Sequence, residues 1–215
     1  MAYWSELPKF QRWLILFGFV GLGIAQVAQP FPEVALFHHT PTLLFLLAAP
    51  LLLSRWPISN AALVCIFVFL ALHTLGGRYT YTNTPYDQWF EALFGESLSS
   101  IFGWQRNHYD RLAHFSFGLL FVTPVVDILS RYATVSRRLA LYIAVEFVMG
   151  VSAIYEVVEW GLSIILAPNN VEAYNGQQGD FWDAQKDMAL AFTGALVAMV
   201  IIAFRTGKLK EVDRD

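Results

Sequence analysis

Side chains that could do chemistry occur in this sequence at the ends of long apolar runs. They are the imidazole, carboxylate and guanidinium groups of His73, Asp110, Arg111, His114, Glu156, Glu159, Asp180, Asp183 and Asp187. An ionisable side chain near the centre of a bilayer costs at least about 2.5 to 3.5 kcal/mol, so such a residue marks a function unless a partner or the membrane interface compensates it. We therefore expect four parts of the chain to deliver these groups to one depth.

The spacing of these residues indicates that helices carry them in pairs. The pairs are Asp110 with His114, Glu156 with Glu159, and Asp183 with Asp187. Residues three or four positions apart share one face of a helix, and the third pair requires the last helix to begin by Asp183. Like charges at this spacing repel each other, so these faces need a cation, protons, or the guanidinium groups of Arg106 and Arg111 to neutralise them.

Two functional interpretations and one structural interpretation fit this pattern. In the first, a divalent metal ion takes its ligands from His73, His114, Glu156, Asp183 and Asp187. In the second, a general acid–base site has a catalytic set of His114, Asp110, Arg111, Glu156, Glu159 and Asp187. In the structural interpretation, Arg111 forms salt bridges with Asp110 and with either Glu156 or Asp187. The cluster then only locks the helices together.

The composition sets the class of protein. Of the 215 residues, 56% are apolar and only 14% are charged, whereas soluble domains have about 45 to 50% apolar and about 25% charged residues. The net charge of −3 leaves no basic surface for a nucleic acid. A single cysteine, Cys65, excludes an internal disulfide. We therefore expect a membrane protein with membrane lipid around it and no nucleic-acid partner.

Six apolar runs are long enough, or nearly so, to cross a bilayer as helices. They are Trp13–Ala28, Val34–Leu53, Ser59–Gly76, Leu112–Leu129, Leu139–Leu166 and Asp187–Phe204. The sequence thus predicts an all-α, polytopic membrane helix bundle that forms one integral membrane domain over residues 1–215.

The distribution of basic residues predicts the orientation of this bundle. Six spans put both termini on one side, and only Arg78, Arg106, Arg111 and Lys186 of the 14 Lys and Arg lie on the other side. Because basic residues favour the cytoplasmic side, both termini are predicted to be cytoplasmic. The two long connections, 77–111 and 167–186, then face the periplasm of a bacterial inner membrane. Long connections carry sites more often than short ones, so we expect the site there.

The first long connection contains a candidate amphipathic helix over residues 87–104. Its apolar side chains recur at helical spacing, and its charged side chains fall mostly between them. This pattern favours a helix on the outer membrane surface with Trp89 and Trp104 at the level of the lipid headgroups. A helical lid packed on the bundle is the alternative. With the 167–186 connection, this helix would roof the site.

Four ordered motifs resemble the YjdF-like family of predicted bacterial inner-membrane proteins. They are His73–Tyr81, Asn107–Phe115, Tyr155–Trp160 and Gly179–Met188. The resemblance covers residues 73–194 well and the first two spans only by hydropathy. It implies a multi-span inner-membrane protein and implies little about chemistry, because the family is known mainly as uncharacterised.

The chain also has a more distant similarity to VanZ-like membrane proteins, which are associated with teicoplanin resistance. The matching residues are Asp110, His114, Phe115, Glu156, Asp187 and Gly194. Glu159 stands where the VanZ pattern usually has Gln, and Ala191 stands where it has Asn. The similarity therefore implies a shared fold rather than a role in resistance.

The leading hypothesis is a membrane-embedded enzyme, with or without a divalent metal ion, that acts on a lipid or lipid-linked substrate at the outer leaflet. In it His114 is the acid–base residue, carboxylates are metal ligands or bases, and Arg111 clamps a headgroup phosphate. A cation or proton transporter is the alternative, for which only Glu146 and Asp127 extend the ionisable series inward. A structural or accessory membrane protein is the third.

Overall fold

The computed structural model describes residues 2–165 and 176–212, and every regular element in these residues is an α-helix. The helices are α1 Ala2–Glu6, α2 Lys9–Gln26, α3 Pro32–Arg55, α4 Asn60–Arg78, α5 Tyr86–Phe94, α6 Leu98–Phe102, α7 Tyr109–Tyr132, α8 Arg137–Ile165 and α9 Asp183–Val212. This confirms the predicted all-α class. The predicted pairing of Asp183 with Asp187 required a helix that begins by Asp183, and α9 begins there.

Five helices are long and apolar enough to cross a membrane. They are α3, α4, α7, α8 as far as Leu162, and α9 as far as Arg205. They match five of the six apolar runs. The first run coincides with α2, which has 18 residues but opens with Lys9, Gln11 and Arg12 and is not among the five. The sixth span, and with it the placement of both termini on one side, stays a prediction.

Specific contacts set where the membrane helices begin and end. Because proline disfavours a helical conformation in the residue before it, α3 ends at Arg55, just ahead of Trp56 and Pro57. The Ser59 hydroxyl then caps α4 by accepting from the Ala62 N–H at 3.1 Å. The Asp127 carboxylate on α7 accepts from the Ser59 N–H at 2.8 Å and from the Arg131 guanidinium at 3.0 Å.

The bundle has two halves joined through α4 and α7. The first packs α1 to α4 around Ile15, Ala49 and Leu63, and the second packs α7 to α9 around Val122 and Val148. All five side chains are fully inaccessible to solvent.

Two glycines allow the backbones of α7 and α9 to come into direct contact. A Cβ on Gly118 would lie 1.8 Å from the Ala191 carbonyl oxygen, and a Cβ on Gly194 would lie 2.1 Å from the Phe115 carbonyl oxygen. Small residues at helix contacts are how membrane helices pack closely. This crossing fixes the position of the first turns of α7 relative to those of α9.

The single amphipathic helix predicted over residues 87–104 is wrong in its continuity, because the structure has two helices, α5 and α6. Gly95 adopts a φ of +83° and ends α5, a conformation that glycine adopts without steric penalty. The Ser97 hydroxyl then starts α6 by accepting from the Ser100 N–H at 3.1 Å. Leu93 is 78% exposed and Phe102 60% exposed, so the membrane-surface interpretation stays a prediction for both helices.

Candidate functional site

Three helices bring acids and a histidine together at one end of the second half of the bundle. The first turns of α7 supply Asp110 and His114, α9 supplies Asp187, and the distal part of α8 supplies Glu156. The Nε2 atom of His114 lies 3.7 Å from an Asp110 carboxylate oxygen and 3.6 Å from a Glu156 carboxylate oxygen. Donor atoms of Asp110, His114 and Asp187 all lie within 4.8 Å of one another. We call Asp110, His114, Glu156 and Asp187 the acid–histidine cluster.

The acid–histidine cluster is shielded from solvent but is not internally satisfied. Asp110 is 9% and Asp187 2% exposed, and the side chains of Glu156 and His114 are 9% and 11% exposed. One carboxylate oxygen of Glu156 and one of Asp187 have no hydrogen-bond partner within the described residues. Buried charged oxygens without donors are strongly disfavoured, so this arrangement calls for protons or a cation.

Glu159 extends the cluster by one turn of α8. A side-chain hydrogen bond joins it to Glu156. The predicted helical pairing of the two glutamates therefore brings their carboxyl groups into contact beside His114.

A second layer of charge lies beside the acid–histidine cluster. We call it the arginine layer, and it consists of Arg106, Arg111, Asp180, Asp183 and Lys186. Arg106 contacts Asp183 at 2.6 Å, and Arg111 contacts Asp180 at 2.5 Å and Asp183 at 3.5 Å. Lys186 contacts Asp180 at 2.6 Å. The pKa of Asp180 is lowered to about 2, mainly by the hydrogen bond from Lys186. The hydrogen bond from the Trp182 N–H, the charge of Lys186 and the hydrogen bond from Arg111 lower it further.

The arginine layer corrects one expectation. The structural interpretation of the sequence paired Arg111 with Asp110 and with Glu156 or Asp187. In the structure Arg111 pairs instead with Asp180 and Asp183, because residues 176–182 fold back over the start of α7. There the carbonyl groups of Gly176 and Gln177 accept hydrogen bonds from Arg106. Residues 167–175 of the predicted roof lie outside the described residues.

The five predicted metal ligands separate into different environments. His114 and Asp187 belong to the group whose donor atoms could hold an ion, and Glu156 adjoins it. Asp110, predicted only as a catalytic residue, is the third member. Asp183 belongs to the arginine layer, where Arg106 contacts it.

His73, also a predicted metal ligand, lies in a different polar centre. It donates from Nε2 to the His38 carbonyl at 2.8 Å, and its Nδ1 accepts from the Tyr81 hydroxyl. With both ring nitrogens engaged by the fold, His73 has no lone pair left for a metal ion. The sequence could not reveal these contacts, because they join α3, α4 and the segment after α4.

An apolar cavity of about 230 Å³ adjoins the acid–histidine cluster. Asp110 and His114 form part of its wall, and most of the rest is aromatic or aliphatic, as with Phe69, Phe117 and Val151. The wall draws on α3, α4, α7 and α8, so the cavity lies between the two halves of the bundle.

Two residues of this wall were missed by sequence reasoning. Tyr155 makes an edge-to-face contact with the His114 ring at 5.6 Å, and Ser152 is buried with a hydroxyl that has no partner within the described residues. Ser152 lies about one helical turn before Glu156 and Tyr155 lies directly before it. This proximity to Glu156 on α8 is the sequence feature that could have identified them.

The opposite end of α7 to α9 is apolar inside. Its buried residues in the described part of the chain are Val122, Leu141, Ala144, Val145, Val148, Ala191, Ala195 and Ala198. Glu146 does not enter this interior: it is exposed on α8, where it shares a hydrogen bond with Tyr142. Asp127 pairs with Arg131, as predicted.

A family of proteins and an individual protein are similar to this chain. Residues 10–208 match the model of a family described as "Predicted membrane protein (DUF2238)". The "Inner membrane protein YjdF" of Escherichia coli (strain K12) is 31% identical over 150 residues, which cover 69% of this chain and 68% of that protein. No solved structure matches. These findings bear out the predicted family, whereas the VanZ-like similarity stays a prediction.

Proposed function

We propose a function for this chain, which belongs to the DUF2238 family of predicted membrane proteins and is a multi-pass inner membrane protein. In this proposal, the chain is an enzyme that uses the acid–histidine cluster to act on a lipid or lipid-linked substrate. The observation that carries this proposal is the position of His114 Nε2 between two carboxyl groups, at 3.7 and 3.6 Å, beside an apolar cavity.

The distances around His114 suit proton transfer. At 3.6 to 3.7 Å from both carboxyl groups, the imidazole is oriented but makes no hydrogen bond with them, and such contacts often tighten only when substrate is bound. His114 accepts a proton from the attacking hydroxyl or water, and Asp110 and Glu156 stabilise the resulting imidazolium. Glu159, hydrogen-bonded to Glu156, is the next group that can take the proton.

Asp110, His114 and Asp187 are the residues that would hold a divalent cation. With the ion bound, His114 would be a ligand instead of the base, and the adjoining Glu156 would be the nearest group to accept the proton. Their mixed oxygen and nitrogen donors suit several first-row transition metals. A cation also answers the need created by the buried carboxylate oxygens of Glu156 and Asp187 that lack donors. When bound, the ion would polarise the substrate oxygen and activate a water molecule.

The surroundings of the cluster favour a lipid-borne substrate. The adjoining cavity is almost wholly apolar, which suits a hydrocarbon chain better than a soluble metabolite. Arg111 keeps a buried Nε–H without a partner in the described residues, and this donor is available to an oxygen atom of a lipid headgroup. A lipid reaches both features from within the bilayer.

The direction that the site faces rests on the sixth span. α2 exposes Trp13, Phe17, Val20 and Ile24, each more than half accessible, while its opposite face packs on α3 and α4. An apolar face of this kind suits lipid contact. With α2 as a span, both termini are cytoplasmic and the acid–histidine cluster faces the periplasm.

The observations favour an enzyme over the alternative of a cation or proton transporter. A transport path needs polar groups through the whole thickness of the membrane. The described interior beyond the acid–histidine cluster is instead closed by alanine, valine and leucine side chains, and Glu146 lies outside it.

One experiment tests catalysis and metal binding together. The full chain is purified into nanodiscs of inner-membrane lipid extract, and lipids and bound metal are measured by mass spectrometry for the wild type, His114→Gln, Asp187→Asn and the matched control Asp127→Asn. We expect a lipid conversion that falls about 100-fold or more in His114→Gln. We expect bound metal in the wild type and in Asp127→Asn, and its loss in Asp187→Asn.

The two parts of the proposal fail separately. Absence of metal from the wild type after incubation with Mn²⁺, Fe²⁺ or Zn²⁺ removes the cation and leaves acid–base catalysis. A lipid composition that the wild type and His114→Gln leave equally unchanged rejects the enzyme. If Asp187→Asn then only destabilises the protein, the cluster is a scaffold.

A further inference from the structure

A second cavity, of about 370 Å³, lies next to the site and has the opposite character. We call it the amide-rich cavity. It is lined by residues 82–84, 87, 88, 99, 104–107 and 178, which come from the connection between α4 and α7 and from the segment before α9. Apart from Trp104, every side chain in this lining is polar, and five of them are Asn or Gln.

The charges of the amide-rich cavity are balanced and already engaged. Its lining contains one acid, Asp87, and one base, Arg106. Asp87 accepts hydrogen bonds from the N–H and the hydroxyl of Ser99, and Arg106 is paired with Asp183 at 2.6 Å. A phosphate or a metal ion would meet no surplus charge of the opposite sign, so the lining suits a neutral ligand.

Several hydrogen-bonding groups in this cavity have no partner within the described residues. The hydroxyl groups of Thr82 and Thr84 are buried and unbonded, and Thr84 is only 1% exposed. The side-chain amides of Gln88 and Gln105 are exposed and make no hydrogen bond in the described part of the chain. Buried hydroxyl groups left unbonded are unfavourable, so a ligand with many hydroxyl groups would satisfy what the fold leaves open.

Trp104 adds an aromatic surface to these polar groups. Its ring stacks against Phe102, with 4.9 Å between centroids, and lies 4.4 Å from the His108 ring. It is therefore held in place rather than free to turn. A sugar ring offers hydroxyl groups at its edge and apolar C–H groups on its faces, which is the combination that amides together with an indole ring recognise.

The amide-rich cavity and the acid–histidine cluster lie on either side of Gly176. The position of a Cβ on Gly176 lies 3.3 Å from the Thr82 hydroxyl oxygen and 3.7 Å from a carboxylate oxygen of Asp110. Arg106 belongs both to the cavity lining and to the arginine layer, where it contacts Asp183. A ligand in the cavity therefore lies within reach of the groups that would react.

We propose that the amide-rich cavity binds the neutral saccharide headgroup of a membrane lipid, and so defines the substrate class of the site. This rests on the proposed function for the chemistry, but the binding itself does not require catalysis. The lipid chain lies towards the bilayer and the apolar cavity, while the hydroxyl groups of the sugar bond to Thr82, Thr84, Gln88 and Gln105. The linkage between sugar and lipid then lies near Asp110.

The test measures binding to the full chain in detergent by native mass spectrometry. The probes are monoglucosyl diacylglycerol, diacylglycerol and phosphatidic acid with identical acyl chains, together with methyl β-glucoside as the free sugar. We expect the glucosyl lipid to bind about 10-fold more tightly than diacylglycerol, an advantage of about 1.4 kcal/mol. His114→Gln should keep this preference, so the result is independent of whether the chain is catalytic.

Variants locate the binding. Thr84→Val and Gln88→Ala should each reduce the preference for the glucosyl lipid at least about 3-fold. Gln185→Ala, an exposed glutamine of α9 outside the cavity lining, should leave it unchanged. Gln88 is exposed, so Gln88→Ala should change the free energy of unfolding by no more than about 0.5 kcal/mol. An unchanged thermal unfolding curve is the control for both variants.

The other outcomes overturn the proposal. Equal binding of the glucosyl lipid and diacylglycerol removes the saccharide site, and tighter binding of phosphatidic acid makes the site an anion site. Displacement of the glucosyl lipid by methyl β-glucoside at an equal concentration makes the ligand a free sugar. Insensitivity to both Thr84→Val and Gln88→Ala places the sugar elsewhere.

Discussion

Histidine side chains occur in membrane helices of both halves of the bundle, but their rings differ in how many hydrogen bonds they make. Between α3 and α4, His39 accepts from Gln26 at 2.6 Å and contacts the Thr74 carbonyl at 3.0 Å. His73 likewise uses both ring nitrogens. In the acid–histidine cluster, His114 faces two carboxyl groups at distances beyond a hydrogen bond.

This contrast separates a structural centre from a candidate site. A polar residue whose hydrogen bonds are completed by the fold stabilises that fold and has no capacity left for a ligand. A buried group whose partners are incomplete is unfavourable by itself and is retained where something else completes it. His39, His73 and His114 are the same residue type in helices of the same bundle, so what distinguishes His114 is that its ring faces carboxyl groups at distances beyond a hydrogen bond.

The largest effect should come from separating α7 and α9, which supply three of the four residues of the acid–histidine cluster. In Gly118→Val, the side chain would meet the Ala191 carbonyl at a distance that no packing can accommodate. We expect a loss of about 3 kcal/mol or more in the free energy of unfolding and loss of any metal binding. The measurement is reversible unfolding in mixed micelles with metal analysis. A variant with wild-type stability would show that this crossing is not rigid.

A medium effect should come from replacing a histidine whose two ring nitrogens both make hydrogen bonds within the fold. His39→Leu removes the hydrogen bonds of the His39 ring with the Gln26 side chain and with the Thr74 carbonyl and should lower the free energy of unfolding by about 2 to 3 kcal/mol. His114→Leu, the matched change in the acid–histidine cluster, removes no hydrogen bond within the described residues and should lower it by about 1 kcal/mol or less. Equal losses in the two variants would contradict the contrast between the halves.

The smallest effect should appear at acidic pH in the arginine layer. Lys186, then the Trp182 N–H and Arg111, lower the pKa of Asp180 from its ordinary value of 3.8 to about 2. Arg106 also faces Asp180 at 3.4 Å, and Asp183 shares both arginines with it. Because the folded-state pKa is the lower one, the ionised carboxylate stabilises the fold above about pH 4, and this stabilisation disappears as the pH falls towards 2.

Unfolding temperatures measured between about pH 5 and pH 2 check this prediction. Wild type should exceed Asp180→Asn at the upper end of the range, and the difference should vanish at the lower end. Lys186→Met should move the decline of the wild-type curve to higher pH, because it removes the main cause of the lowered pKa. A constant difference between wild type and Asp180→Asn would show that its ionisation does not contribute.

Much of the fold follows from local patterns. Five of the six apolar runs form helices long enough to span a membrane, and the pairs Asp110 with His114 and Asp127 with Arg131 meet as their spacing requires. The continuous helix over residues 87–104 failed because Gly95 adopts a left-handed conformation, which a count of apolar residues does not register.

The sequence by itself determined the membrane class, the helical spans and the residues available for chemistry, because hydropathy and helical spacing act over a few turns of chain. The tertiary structure decided which groups became partners. In it, His73 forms a hydrogen bond with Tyr81, and Asp183 forms an ion pair with Arg106. Asp110, His114 and Asp187 lie close enough together to bind one ion. Hydrogen bonds and ion pairs act over a few ångströms, so the choice of partner depends on how distant helices cross.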